Sequence, residues 1–331
     1  MSVSLENLDA AFGRIMAGEA AHEEVKEFLS STIPLMSEPR ALAIGARALR
    51  ARMVRVKAPA NAIDVCGTGG DGAHTLNIST AVAFIAAGAG VPVAKHGNRA
   101  MSSKAGAADT LEALGVKLTS DVPTLERALA EANIAFLFAQ NHHPAMRHVA
   151  AARKELGVRT IFNLLGPLSN PAGVKRQLVG VFAPEWAKPV AEALKELGAE
   201  SAWVVHGAGG IDELAVAEDN LVAALDKGEV MEANLNFRDG DNPNQTPEAL
   251  RGGTAEENAA ALRALLEGKN ENKAYRDAVL LNATAALVVA DDATDLKSAW
   301  AMAQESLDSH AALAALNSLV AITKDAPENA S

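Results

Sequence analysis

One stretch constrains this chain more than any other: residues 63–104, IDVCGTGGDGAHTLNISTAVAFIAAGAGVPVAKHGNRAMSSK. It reads as an apolar strand, a glycine loop, a helix of small residues, a second apolar strand and a loop carrying Lys95, Arg99 and Lys104. The same rhythm continues downstream. Short apolar strands are predicted at 63–66, 91–94, 134–139, 159–162, 177–182 and 201–206, with helices at 77–87, 103–114, 122–132, 144–156 and 185–197. Apolar strands separated by helices require a mostly parallel sheet covered on both faces, so the fold class is α/β. In such sheets ligands bind outside the carboxyl ends of the strands, and the candidate motifs fall there.

The ends of the chain have a different pattern. Leu5, Leu8, Phe12 and Ile15, then Leu42, Ala46, Leu49 and Met53, recur at helical spacing with no strand among them. A small all-helical domain is therefore expected over residues 1–60, linked by Pro59, Ala60 and Asn61. The segment 163–176, NLLGPLSNPAGVKR, breaks the alternation with two prolines and two glycines and reads as a hinge back to that domain. The large α/β domain takes residues 61–162 and 177–325. Within it, 213–237 alternates weakly, as a small antiparallel excursion would, and 239–247 is turn-rich. Thr254 with Glu257 forms a capping box that opens a helical finish, and 326–331 is a polar tail.

Composition removes several classes of function. The net charge is −11, so the chain lacks the basic character of a general nucleic-acid binder. The single Cys66 excludes an internal disulfide framework and a multi-cysteine zinc site, and suits a reducing cytoplasm. The opening MSVSLENLDA has no basic n-region or apolar h-region, so no secretory signal is expected. The longest apolar stretches are too short or too interrupted to span a bilayer, and no membrane partner is expected.

The motifs point to a phosphorylated small molecule. Gly67, Gly69 and Gly72 satisfy the dinucleotide pattern G-x-G-x-x-G, but the next strand ends in Lys95-His96 where a ribose-binding acid belongs. A nicotinamide enzyme is thereby disfavoured, and by itself the glycine run is equally a tight turn. Asn77-Ile78-Ser79-Thr80 supplies three capping residues in four positions, more than one helix cap needs. A helix start after a glycine loop offers free N–H groups and a positive dipole end to an anion. Lys95, His96, Asn98, Arg99, Ser102, Ser103 and Lys104 add charge between two glycines, although such runs are commonly solvated surface. His142, His143 and His148 invite a metal reading, but no HExxH or cysteine completes it, so a polar pocket lining is preferred. Asp212-Glu213 follows a strand end and a glycine loop; facing a polyphosphate, such a pair can hold Mg²⁺.

These motifs, with the long runs 141–171 and 204–214, resemble the anthranilate phosphoribosyltransferase family in order and spacing across residues 60–214. The resemblance implies a helical domain beside a large α/β domain of nucleoside phosphorylase/phosphoribosyltransferase type, homodimeric through the helical domains. It also implies phosphoribosyl transfer from phosphoribosyl pyrophosphate to anthranilate, the second step of tryptophan synthesis from chorismate, by a Mg²⁺-dependent pentosyltransferase. Phosphoribosyl pyrophosphate would be bound by Gly67, Gly70, Asp71, Thr75, Asn77, Ile78, Ser79, Thr80, Lys95, His96, Gly97, Asn98, Arg99, Ser102 and Ser103. Anthranilate would meet Gly67, Asn98 and Arg153, with His96 and His143 lining its approach. Ser79, Asp212 and Glu213 would hold the metal, two Mg²⁺ per subunit, and no residue is assigned as a general base. The sequence departs from the family at Ala107, where serine is frequent, and at Gly209, where an acid is common. Two rival readings share the architecture: a pyrimidine-nucleoside phosphorylase, and an inactive relative that binds nucleic acid.

Overall fold

A computed structural model describes residues 3–100, 104–216, 219–237, 247–293 and 295–327. Seven strands form one sheet: β1 (Ile63–Gly67), β2 (Val93–Gly97), β3 (Ile134–Phe138), β4 (Arg176–Gly180), β5 (Ser201–His206), β6 (Asp219–Asp226) and β7 (Glu229–Asn236). Their order is β3-β2-β1-β4-β5-β6-β7. The first five are parallel, and β6 and β7 add an antiparallel hairpin at one edge, which is the excursion expected from 213–237. The α/β class with a mostly parallel sheet is therefore what the chain adopts.

Two cores flank the sheet. On one side lie α4 (Ile78–Gly88), α5 (Ala107–Ala113), α6 (Val122–Glu131), α10 (Ala255–Leu266), α11 (Lys273–Val289), α12 (Leu296–Asp308) and α13 (Ala311–Lys324). Nine of the eleven residues of α4 are buried, so this helix needs small side chains on every face. Its Gly88 meets α13 directly: a Cβ there would lie 2.4 Å from the Ala312 nitrogen. The abundance of alanine thus becomes close helix packing.

On the other side, α1 (Leu8–Ala17), α2 (His22–Ser31), α3 (Pro39–Arg50), α8 (Arg147–Leu156) and α9 (Ala187–Glu196) share a core with β4, β5 and β6. The short α7 (Ala139–His142) leads from β3 towards α8. Helix α8 packs on α1 and α2, and Glu155 receives Lys26 Nζ at 2.6 Å and His22 Nε2 at 2.7 Å. The strand expected at 159–162 does not form. Ile161–Asn163 is a 3-10 turn, closed by Asn163 Oδ1 accepting the Thr160 N–H at 2.9 Å. Phe162 turns into the helical core, 5.7 Å from the Phe12 ring, so this short apolar run is buried among helices instead of in the sheet.

One departure from regular pairing shapes the centre of the sheet. Strand β1 pairs with β4 at five positions, and β2 with β3 at five, yet β1 and β2 share only the Ile63–Val93 register among the described residues. Side chains replace the missing rungs. Asp64, fully buried, accepts the His96 N–H at 3.0 Å and Asn170 Nδ2 at 2.8 Å. The same Nδ2 donates to Ala94 O at 2.8 Å, and Lys95 Nζ reaches back to Val65 O at 2.6 Å. Burial pushes the Asp64 carboxyl above its usual range, opposed by the Lys95 charge and the Asn170 amide. Asn170→Leu removes both donations and strands a buried carboxylate oxygen and a carbonyl, so it should cost about 3 kcal/mol. Urea unfolding at constant m reads this; a loss under about 1 kcal/mol would show that the amide is not what bridges the strands.

Candidate active site

A cavity of about 610 Å³ opens at the carboxyl ends of the strands. It brings together Gly67, Gly70, Asp71, Thr75, Asn77, Ile78, Ser79, Lys95, His96, Gly97, Asn98, Arg99, His143, Arg153, Asp212 and Glu213, all expected from the sequence. Thr80 is the exception: it is buried inside α4 and does not line the cavity. Ser102 and Ser103 lie outside the described residues.

Glycines at the strand ends create room for the acidic pair. Gly67 and Gly180 face each other across β1 and β4. A Cβ on Gly180 would sit 1.5 Å from Asp212 O, and one on Gly67 would sit 2.3 Å from Asp212 Oδ2. A Cβ on Gly207 would meet Glu213 O at 2.1 Å. With no side chains there, the loop settles onto the sheet. Asp212 Oδ2 accepts the Gly69 N–H at 2.8 Å, and Glu213 Oε1 accepts the Ser79 N–H at 3.2 Å. Asn282 Oδ1 accepts the Leu214 N–H while its Nδ2 donates to Leu214 O, both at 2.9 Å, which fixes the next residue of the loop.

The two carboxylates are held without a full complement of charge. Burial, then the neighbouring Asp71, pushes Asp212 up to about 7. Burial and Asp212 push Glu213 well above the usual range, with Lys95 opposing. Lys95 in turn is lowered by burial and donates to Ser79 Oγ at 3.2 Å. A divalent cation would reverse the penalty on both carboxylates. The donors are all oxygens: two carboxylates and the Ser79 hydroxyl. Among the described residues no group of three or more histidine, cysteine or acidic side chains forms a metal cage. That combination fits Mg²⁺, which takes one or two carboxylates and completes its shell with water and substrate phosphate.

Beside the acids, the start of α4 presents donors. Asn77 Oδ1 accepts Thr110 Oγ1 at 2.6 Å and Asn258 Nδ2 at 2.9 Å. With its oxygen occupied twice, the Asn77 amide nitrogen is left to donate towards a ligand. Asn258 is itself oriented by the Gly253 N–H, received at 2.7 Å. Arg99 lines the cavity but commits its guanidinium to Asp109 at 2.8 Å and Glu112 at 2.5 Å, and those acids raise its pKa further.

The opposite end of the cavity is drier. The His96 and His143 rings lie 5.1 Å apart. His96 Nδ1–H donates to Gly166 O at 3.1 Å, which leaves Nε2 bare, and the His143 ring has no closer polar contact than a weak one to the Ser169 backbone. Burial lowers His96 well below the ordinary histidine range, and burial with His142 lowers His143 to about 4. Both rings are neutral at pH 7. Arg153 lies over the Phe162 ring at 5.7 Å and is lowered by burial. His142 faces the linker, its Nδ1–H donating to Val54 O at 2.8 Å, and does not line the cavity.

Arg159, Thr110 and Asn258 are site residues to which the sequence reading assigns no role, although Arg159 lies within the run 141–171. Arg159 lies in the apolar run where a strand is expected; the other two act through Asn77 from helices far along the chain. Cys66 is a buried residue at the strand end, as expected.

The comparisons with known proteins agree with this geometry. The model of the glycosyl transferase family, a/b domain, matches residues 59–313. An anthranilate phosphoribosyltransferase of Brucella suis biovar 1 is 50% identical over 325 residues, covering 98% of this chain and 95% of that protein. The crystal structure of the Thermus thermophilus anthranilate phosphoribosyltransferase superposes with a TM-score of 0.89 at 43% identity, covering 98% and 97% of the two chains. The Saccharomyces cerevisiae enzyme, in complex with PRPP and Mg, gives 0.86 at 26% identity, covering 98% and 94%.

The lowered His143 sets a pH dependence. Its folded pKa is about 4 against an ordinary 6.5, so between these values the unfolded chain takes a proton that the folded protein refuses. His143's own contribution to stability should therefore fall as pH falls from 6.5 towards 4, against the opposite contribution of the raised Asp212. His143→Asn should flatten that slope in melting temperature, and an unchanged slope would place the effect elsewhere.

Proposed function

The chain belongs to the anthranilate phosphoribosyltransferase family, and we propose that it transfers the phosphoribosyl group of phosphoribosyl pyrophosphate to the amine of anthranilate, releasing pyrophosphate. What carries this reading is a single cavity with two unlike ends. One end offers helix-cap donors and a buried acidic pair; the other offers a guanidinium over an aromatic ring beside two neutral histidines.

In the reaction a bond forms between the anthranilate nitrogen and ribose C1 as the bond from C1 to the pyrophosphate oxygen breaks. The bonding pair leaves with pyrophosphate, and the proton lost by the amine passes to solvent, no residue being assigned as its base. Mg²⁺, held by Ser79, Asp212 and Glu213 with two ions per subunit, would neutralise charge on the departing pyrophosphate. The Asn77 amide and the start of α4 bind the phosphoryl oxygens. Arg153 pairs with the anthranilate carboxylate, and the bare His96 and His143 nitrogens accept hydrogen bonds without adding charge. A weakly basic aromatic amine facing a good leaving group chiefly needs positioning, which the rigid strand ends provide. No described helix is long and apolar enough to cross a membrane. A cytoplasmic setting and a homodimer built through the helical layer belong to the same proposal. So does the division into residues 1–60 and the hinge 163–176 against 61–162 and 177–325, although α8 packs on α1 and α2 of the helical part.

The test is loss of anthranilate fluorescence on addition of phosphoribosyl pyrophosphate, with and without Mg²⁺. Rapid, Mg²⁺-dependent loss is expected, and folded protein that gives none would overturn the reading. Asp212→Asn with Glu213→Gln should abolish metal-dependent turnover, and an unaltered Mg²⁺ requirement would remove the pair from the metal site. Arg153→Ala should raise the KM for anthranilate about a hundredfold, as loss of a bidentate charged pair implies, while that for phosphoribosyl pyrophosphate moves far less. Equal changes in both would refute the carboxylate role.

A further inference from the structure

Among the described residues four lysine and arginine side chains line the cavity, and three have tasks already described. Lys95 is held between Val65 O and the Ser79 hydroxyl, Arg99 is neutralised by Asp109 and Glu112, and Arg153 stands at the histidine end. The fourth, Arg159, lies within the run 141–171 but has no role assigned to it. It is exposed, on the segment between α8 and the Ile161–Asn163 turn, with its guanidinium against the glycine loop.

Two contacts fix it. Its guanidinium carbon lies 4.0 Å from the centre of the Phe182 ring, and Nη2 donates to Gly70 O at 2.5 Å. Among the described residues no carboxylate pairs with it, unlike Arg99. A guanidinium stacked on a ring loses little freedom when it binds a ligand, and only one of its five N–H groups is taken by Gly70. It brings a positive charge to the glycine loop next to Asp71, within the same cavity. The loop it grips turns through positive φ at Gly69, Gly70 and Gly72, so its course depends on such tethers.

We propose that Arg159 is a binding residue for the diphosphate of the phosphoribosyl donor, reaching it from the helical side of the cleft while it holds the glycine loop in place. The naming of that donor rests on the proposed function; the affinity for two linked phosphoryl groups with Mg²⁺ stands without it. Arg159→Met keeps an unbranched stem over Phe182 and removes the charge, and Arg159→Lys keeps the charge and removes the fork.

The test uses inorganic pyrophosphate with Mg²⁺ as a probe of thermal stability, alongside steady-state kinetics. Pyrophosphate should stabilise the wild type, and Arg159→Met should lose more than about half of that shift while melting like the wild type without ligand. The KM for phosphoribosyl pyrophosphate should rise about tenfold, as expected for one charge-assisted contact, with Arg159→Lys intermediate and the KM for anthranilate moving less than about twofold. An unchanged pyrophosphate shift in Arg159→Met, no shift in the wild type, or parallel rises in both KM values would each overturn the proposal. A wild type that binds pyrophosphate but transfers nothing would instead defeat the proposed function and leave this binding role standing.

Discussion

Everything at the cavity depends on how closely one loop can approach the ends of two strands. Asp212 lies against Gly67 and Gly180, and Glu213 against Gly207, at distances that no Cβ could share. That approach buries two adjacent carboxylates beside Asp71, with Lys95 opposing the charge on Glu213. In isolation the arrangement is unfavourable, and the shifts of both acids towards the protonated form express it. The same disfavour is what gives a divalent cation its hold: the ion recovers energy that the fold has already invested in burying the acids. Glycine here is a requirement of contact distance more than of backbone flexibility.

The splay between β1 and β2 is the second condition. Regular pairing along both strands would have placed backbone hydrogen bonds where Asp64, Asn170 and the Lys95 ammonium now sit. The gap lets Lys95 turn inward between the strands, close enough to Ser79 to link the second strand to the start of α4. Asn170 belongs to the proline- and glycine-rich segment that returns from the helical layer, so one amide ties that segment to the heart of the sheet.

Periodicity made most of this legible. The parallel strands and the hairpin at 219–236 follow from apolar alternation, and the strand-end loops carried the right residue types at the right places. The failure at 159–162 has a physical cause: four residues of mixed apolar character cannot distinguish a buried strand from a buried turn, and Phe162 found its partner in Phe12, 150 positions away. The charged Arg159 inside that run was the available warning. Thr110 and Asn258 were invisible for a related reason. They do not touch the cavity; they orient Asn77 from α5 and α10, and only the fold brings those helices to the start of α4. Arg99 shows the converse, a residue whose type suggested a phosphate ligand and whose charge is taken by its neighbours.

The distribution of charge also explains how an acidic protein suits anionic substrates. At −11 the chain as a whole repels anions, so attraction has to be local. At one end it comes from helix-cap donors and the metal that the acids would hold. At the other, burial keeps His96 and His143 neutral, so Arg153 is the dominant charge facing an incoming ligand there. Two cationic histidines beside it would favour dianions and would draw the phosphorylated substrate into the wrong end. Under the proposed function, neutral rings beside a single guanidinium would instead favour a flat, singly charged carboxylate, because a second phosphate charge would enter that pocket without a partner. The burial that lowers the histidines thus helps to keep the two substrates apart.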